Sequence, residues 1–368
     1  MDIQAAVVRE PGRFTIEHLE LDAPQGDEVL VRVIATGLCH TDIVALDQHL
    51  PYPLPGILGH EGVGVVQRVG PRVEHLIPGD HVILSFASCG HCASCQSGQP
   101  AYCQYARQLN LATRRADGSC THHAGSQAVS AGFFGQSSLA SHALVHERNA
   151  VRVPKHLPLV DLAPLACGVQ TGAGGVLNVL KPQAGSSLVV HGLGAVGLSA
   201  IMAAKTVGCT RILAVDLHAS RLDLAAELGA TALIQAGDTP SDAQVHAQVP
   251  GGVDFAIDAT GVPAVMGAAI ASTHRTGTTL MLGMAPPGAS LKLNAALLLG
   301  GRTIRSSIEG DSVPAVFIPR LIELHRAGLL PFDRLCRHYP LDAINDAIAD
   351  CKSGRTVKPI IVMPDAHA

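Results

Sequence analysis

Apolar positions follow two different rhythms along the chain, and the change of rhythm divides it. In the first 85 residues they come in short β-branched runs, such as Glu28-Val-Leu-Val-Arg-Val-Ile34 and Gly62-Val-Gly-Val-Val-Gln-Arg-Val69. Turn residues bound these runs, as in Pro51-Tyr-Pro-Leu-Pro-Gly56 and Pro78-Gly-Asp80, which predicts strands joined by tight turns. Residues 86–135 are rich in Cys, Gly, Ser and His, keep no period, and predict loops. From about residue 186 strand-length apolar runs (187–190, 211–216, 253–258, 278–283) alternate with helical patterns (195–207 and 220–228, the second closing at Gly229). That alternation predicts a parallel, doubly wound sheet with right-handed crossovers. Two more helices, at 318–327 and 341–351, and a strand at 357–363 complete the reading. The fold class is α/β: a doubly wound parallel sheet beside a mainly antiparallel β region.

Composition narrows the functions. A length of 368 residues suits about two domains. With 47% apolar and 15% charged residues, the chain is not a disordered one. Basic and acidic residues number 26 and 30, a net charge of −4, so there is no basic footprint for a nucleic acid. The mean hydropathy of +0.29 invites a membrane reading. However, the most apolar stretch, 188–204, contains His191 and three glycines and barely reaches the ~17 residues a span needs. A buried strand running into a buried helix explains it better. The start, Met1-Asp2-Ile3-Gln4, lacks a basic segment followed by an apolar run, so a cytoplasmic location is expected. Thiols stay reduced there, and the 10 cysteines read as metal ligands before disulfides.

Cys89, Cys92, Cys95 and Cys103 are separated by two, two and seven residues. Four thiolates on one short lobe suit a tetrahedral zinc with no open coordination position, a structural site. Iron–sulfur runs have similar spacing, and four uncoordinated thiols would be an oxidation liability. Three further segments each offer one or two candidate ligands: Gly37-Leu-Cys39-His40-Thr41-Asp42, Gly59-His60-Glu61-Gly62, and Leu165-Ala-Cys167-Gly168. Two Cys and one His can form a three-ligand zinc site with a fourth position open, a catalytic arrangement. Spacing is equally compatible with a buried thiol and a loop histidine that never meet.

Gly192-Leu-Gly194-Ala-Val196-Gly197 follows the strand at 187–190 and opens a helix, and Asp216 ends the next strand 24 residues after Gly192. In that context the glycines form a dinucleotide fingerprint. They let a pyrophosphate approach the helix N-terminus. Asp216 would accept from the adenosine ribose and repel a 2′-phosphate, favouring NAD. Arg221 and His218 lie close by in sequence and leave some NADP use open.

Taken together, these motifs resemble the zinc-dependent medium-chain alcohol dehydrogenases over essentially the whole chain. The aryl-alcohol and bacterial geraniol dehydrogenases are most similar, on Phe134-Gly-Gln-Ser-Ser138, Ile308-Glu-Gly-Asp311, Phe317-Ile-Pro-Arg320 and Pro331-Phe-Asp-Arg334. The resemblance implies a GroES-like catalytic domain over 1–168 that returns at 305–368, and a Rossmann NAD-binding domain over 169–304. It implies two zinc ions per chain, NAD, a small-molecule alcohol or aldehyde substrate, no nucleic-acid or membrane partner, and a homodimer or homotetramer. Cys39, His60 and Cys167 would ligate the catalytic zinc, with Glu61 behind it and Asp42 orienting His60. Thr41 would hydrogen-bond the alcohol oxygen. His40 would face the pyrophosphate, Thr171 and Leu282 would pack by the nicotinamide, and Lys358 would reach a phosphate. Leu50, Phe86, Phe133 and Phe134 would line the alcohol pocket.

The implied reaction is reversible oxidation of a bulky primary alcohol, benzylic or allylic, to its aldehyde by hydride transfer. A formaldehyde dehydrogenase acting on a thiol adduct is the alternative enzyme, and a zinc- or nucleotide-binding module without turnover is the alternative class. One position departs from many relatives, which carry a proton-relaying His where this chain has Val44. The remaining cysteines (120, 209, 336 and 351) read as ordinary thiols. His122-His123 and Arg114-Arg115 read as solvated surface.

Overall fold

The computed structural model describes residues 1–364. These form two compact units. The first comprises Met1–Cys167, Val313–Pro319 and the chain from Asp333; the second comprises Gly168–Ser312 and Arg320–Phe332. Residues 305–312 and 320–332, which the sequence reading joined to the first part, therefore cluster with the second unit. Part of the reason is that Thr303–Ser306 is a strand of that unit's sheet, paired in parallel with Thr273–Met281.

The first unit is built on two sheets. One runs in the order Gly56–Ile57, Asp2–Val8, Thr15–Leu21, His122–Ala124, Gln127–Val129. The other runs Ala150–Val153, His81–Leu84, Gly62–Val69, Glu28–Gly37, Lys358–Val362, Cys336–Pro340, and His142–His146 also pairs with Glu28–Gly37. Pairing is antiparallel except between the last two strands. Glu28–Gly37 is almost continuously apolar because both of its faces are buried, with Val29, Leu30 and Val31 at 0% exposure.

Residues 86–135 are not the plain loops expected. They carry helices Ala93–Gln96 and Ala106–Asn110 and strands His122–Ala124 and Gln127–Val129. Elements of three to five residues are too short to show a period and are fixed by contacts distant in sequence. His122–Ala124, for example, is held by pairing with Thr15–Leu21. A helix, His40–Leu46, also interrupts the strand-rich start.

The second unit carries a six-stranded parallel sheet in the order Ala232–Gln235, Arg211–Asp216, Ser187–His191, Val253–Asp258, Thr273–Met281, Thr303–Ser306. The helices Ala195–Thr206, Ala219–Leu228, Ser241–Gln248 and Pro263–Ala271 alternate with the strands. Thr273–Met281 begins five residues before the expected 278, through a polar stretch that the apolar pattern could not flag. Ala195–Thr206 is buried along most of its length, from Gly197 to Ala204. This burial accounts for the apolar stretch that resembled a membrane span. Among the described residues no helix is long and apolar enough to cross a membrane.

Candidate active site

In the first unit the three scattered segments converge. One donor atom each from Cys39, His60, Glu61 and Cys167 lies within 4.8 Å of the others. The local folding follows from Asp42. Cys39 precedes the helix His40–Leu46, and its N–H donates to Asp42 Oδ2 at 3.0 Å, which fixes the helix start. Asp42 Oδ1 accepts from the Gly59 N–H at 3.0 Å and lies 3.0 Å from His60 Nδ1. One buried carboxylate thus ties together the backbone of two of the converging segments and the His60 ring. Cys167 enters at the end of the 3₁₀ turn Ala163–Ala166, where Ser85 Oγ donates to Ala166 O at 3.2 Å.

His60 is 1% exposed, and its Nε2 has no hydrogen-bond partner among the described residues. A buried, orphaned ring nitrogen facing two thiols fits a metal ion. The separations also fit, because donors bound to one tetrahedral zinc at about 2.0–2.3 Å stand roughly 3.3–3.8 Å apart. Electrostatics point the same way. The Cys167 thiol beside it holds Cys39 well below the usual thiol range. Burial pulls the His60 imidazole down, but the Asp42 carboxylate and the Cys39 thiol together outweigh it and leave the ring well above its ordinary value. A cation entering such a site displaces these protons.

Glu61 is fully buried, and burial pushes its carboxyl up to about 7 against the pull of Lys358. The role implied for Lys358 needs correction. Its ammonium donates to both Glu61 oxygens at 2.8 Å and to Leu38 O at 3.1 Å, and the residue is 2% exposed. All three N–H donors are engaged inside the protein, so none is left for a cofactor phosphate.

Thr41 is half-buried, its hydroxyl 3.9 Å from Cys39 Sγ, and His40 is exposed. Phe86 is 8% exposed and Leu50 half-buried. Phe133 is fully buried, edge-on to Tyr52 at 5.3 Å, so its ring is core more than pocket wall. Phe134 stacks on His60, with ring centroids 4.6 Å apart and planes at 29°. Neither this stack nor Gln136 was legible in the sequence. Gln136 is 1% exposed, its Nε2 donates to His60 O at 2.9 Å, and its Oε1 accepts from the Gly62 N–H at 3.1 Å.

The cysteine lobe closes as the spacing suggested. Donor atoms of Cys89, Cys92, Cys95 and Cys103 all lie within 4.8 Å of one another. Backbone N–H groups of Cys89 and Tyr105 donate to Cys103 Sγ at 3.3 and 3.4 Å, and that of Cys92 donates to Cys89 Sγ at 3.3 Å. Such N–H···S bonds stabilise thiolates, and those from Cys95 and Gln104 draw the Cys92 thiol down to about 6. Among the described residues these two groups are the only candidate metal clusters.

In the second unit the glycine turn has the shape a dinucleotide needs. Gly192 takes φ +89°, which favours glycine. Gly194 caps the helix Ala195–Thr206, and a Cβ there would meet no protein atom within 4 Å. That leaves open space in front of the helix N–H groups, where a pyrophosphate would sit; Val196 is half-buried and Gly197 buried. Asp216 is 8% exposed and is oriented by the N–H groups of Leu193 (2.7 Å) and His218 (2.9 Å), with Arg221 at 3.9 Å. Leu282 is half-buried, and the Thr171 hydroxyl donates to Glu309 Oε2 at 3.3 Å.

Two surface readings hold only in part: Arg114 is exposed and His123 half-buried, but their neighbours are drawn in. His122 is 2% exposed, with Nδ1 2.8 Å from the Thr121 hydroxyl. The Arg115 side chain is 9% exposed and bridges Glu28 and Asp22 at 2.7 and 2.8 Å. Both are drawn inward by strand pairing and carboxylates far away in sequence.

Comparison with known proteins agrees with this geometry. Residues 25–155 match the alcohol dehydrogenase GroES-like domain and residues 195–325 the zinc-binding dehydrogenase domain. A geraniol dehydrogenase of Castellaniella defragrans is 44% identical over 98% of this chain and 97% of its own. An alcohol dehydrogenase zinc-binding domain protein from Burkholderia ambifaria superposes with a TM-score of 0.96 at 50% identity, covering 99% of both chains. The benzyl alcohol dehydrogenase of Acinetobacter calcoaceticus gives 0.95 at 43% identity, again over 99% of both. The chain belongs to the zinc-dependent medium-chain alcohol dehydrogenase family.

Proposed function

We propose that this alcohol dehydrogenase catalyses reversible, NAD-linked oxidation of a bulky primary alcohol, benzylic or allylic, to its aldehyde. The observation that carries the reading is the orphaned, buried Nε2 of His60 facing the thiols of Cys39 and Cys167. Cys39, His60 and Cys167 would hold a catalytic zinc, and Cys89, Cys92, Cys95 and Cys103 a structural one. A zinc ion in a three-ligand site acidifies a hydroxyl, and nicotinamide supplies the hydride acceptor. The chain's own residues do the rest. Asp42 sets the ring orientation of His60. Thr41 accepts the substrate's proton through its hydroxyl. Val44, unlike an imidazole, offers the proton no next station. Proton release from Thr41 would therefore proceed without a side-chain relay at position 44.

The glycine turn 192–197 would hold the pyrophosphate, Asp216 and Arg221 would meet the ribose, and Thr171 and Leu282 would lie by the nicotinamide. Support for NAD comes from the preset Asp216 carboxylate. The substrate class is supported by the names of the two relatives, geraniol and benzyl alcohol dehydrogenase, and by Phe86, Phe134 and Leu50 as apolar wall. Such a wall discriminates related alcohols weakly. We place the enzyme in the cytoplasm as a homodimer or homotetramer.

Initial rates with benzyl alcohol, geraniol, cinnamyl alcohol and ethanol, each with NAD and with NADP, test the reading. The three bulky alcohols should exceed ethanol in kcat/KM, and NAD should exceed NADP. Preference for ethanol, or absence of turnover with a zinc-replete chain, would overturn it.

A further inference from the structure

Phe134 combines two facts that belong together. Its backbone lies in the left-handed region, φ +51°, where a bulky side chain is an outlier and Gly or Asn would sit comfortably. Its ring lies flat on His60, at 4.6 Å and 29°. Strain retained at one position points to something the side chain does there.

The surroundings show how firmly the ring is presented. Ser137 Oγ accepts from the N–H groups of Gly132 and Phe133 at 2.8 and 2.9 Å and donates to Ile57 O at 2.7 Å. The Phe134 N–H donates to Asn110 O at 2.7 Å. Phe133 meets the His60 ring edge-on, at 5.8 Å and 76°. Gln136 bonds the backbone on both sides of Glu61. The loop therefore grips the His60 segment at its backbone and covers its imidazole with a phenyl face. Asp42 secures His60 at a single atom, Nδ1. One hydrogen bond leaves the ring plane free to tilt, whereas a face contact fixes the plane and with it the direction of Nε2.

We propose that Phe134 is a positioning residue of the metal centre. Its ring holds the plane of His60 so that Nε2 points at the space shared with Cys39 and Cys167, and the residence time of the ion depends on that contact. This role differs from lining the alcohol pocket, and it rests on the metal reading of the Cys39–His60–Cys167 cluster.

The test uses the full-length, zinc-loaded chain and three variants. Phe134→Gly suits the backbone and removes the ring. Phe134→Leu keeps apolar bulk without a flat face and serves if the glycine variant does not accumulate. Phe134→Tyr keeps the ring. Metal content is measured first, then zinc loss to excess chromogenic chelator is followed with time, and the d–d absorption of the cobalt-substituted chains is compared. The expected result is that one of the two zincs leaves Phe134→Gly and Phe134→Leu about 10-fold faster or more. The other should leave at the wild-type rate, the cobalt bands should shift, and Phe134→Tyr should behave as wild type. Equal release rates and an unchanged cobalt spectrum in Phe134→Gly or Phe134→Leu would overturn the proposal while leaving the metal reading intact. A wild-type chain whose metal content shows no ion at Cys39, His60 and Cys167 would overturn the metal reading, and this one with it.

Discussion

Lys358 Nζ stands 2.8 Å from both carboxylate oxygens of Glu61, and the two side chains are 2% and 0% exposed. The pair links the last strand of the chain to the segment that carries His60. Removing Lys358 leaves Glu61 a fully buried carboxyl that either stays charged without a partner or takes up a proton. Lys358→Met should therefore lower unfolding stability by roughly 3–5 kcal/mol, whereas replacing both, Lys358→Met with Glu61→Leu, should recover most of the loss. Equilibrium denaturant unfolding of the two variants checks this. A single variant as stable as wild type would mean that water or a counter-ion reaches the site.

Asp42 should matter to metal retention as well as to the fold, where it also accepts from the Cys39 and Gly59 N–H groups. Its Oδ1 is the partner of His60 Nδ1, and losing such a partner weakens metal binding by about 10–100-fold. Asp42→Ala should therefore show a weaker competition constant for zinc at one site only. Unchanged competition would mean that His60 is oriented by its ring contacts alone.

Gly194→Val separates cofactor space from protein space. The N-cap residue has φ −75° and ψ −171°, which any residue adopts, and a Cβ there meets no protein atom within 4 Å. The folded chain should lose no more than about 1–2 kcal/mol, what a poor N-cap residue costs, while NADH binding, followed by fluorescence, should weaken at least about 10-fold. Equal affinity would place the pyrophosphate elsewhere.

His191 supplies a pH dependence. It is fully buried in the core of the parallel sheet, and burial lowers its imidazole to about 4. Below the ordinary value near 6.5 the unfolded chain binds a proton that the folded chain refuses, so stability falls as pH drops from about 6.5 to about 4. The slope approaches 1.4 kcal/mol per pH unit, roughly 3 kcal/mol over the window. His191→Gln should flatten that part of the stability profile, measured by denaturant unfolding at fixed pH values. An unchanged profile would assign the acid sensitivity to other groups.

Much of this is legible in the sequence. The parallel sheet was readable because its central strand, Ser187–His191, is buried throughout and strand-length apolar runs alternate with helix-length segments. The two clusters of candidate ligands were readable because thiols and imidazoles are chemically conspicuous. Contacts between ordinary residues distant in sequence were not. Lys358 and Glu61 are 297 positions apart, and nothing local marks the lysine as a partner of the carboxylate rather than of a phosphate. Likewise the stack of Phe134 on His60 depends on a left-handed turn whose centre is a phenylalanine, a residue that signals strand or core and not αL. Arg115 and His122 looked solvated because the carboxylates and the strand they meet lie far upstream.

The most direct test of the account is the rate of NAD reduction with benzyl alcohol by Cys167→Ser compared with wild type, both prepared with excess zinc. The account predicts a loss of about two orders of magnitude or more, because the ion would be misplaced or absent from the site that orients the alcohol. A Cys167→Ser chain that oxidises benzyl alcohol at the wild-type rate would contradict the assignment of Cys39, His60 and Cys167 as the catalytic centre.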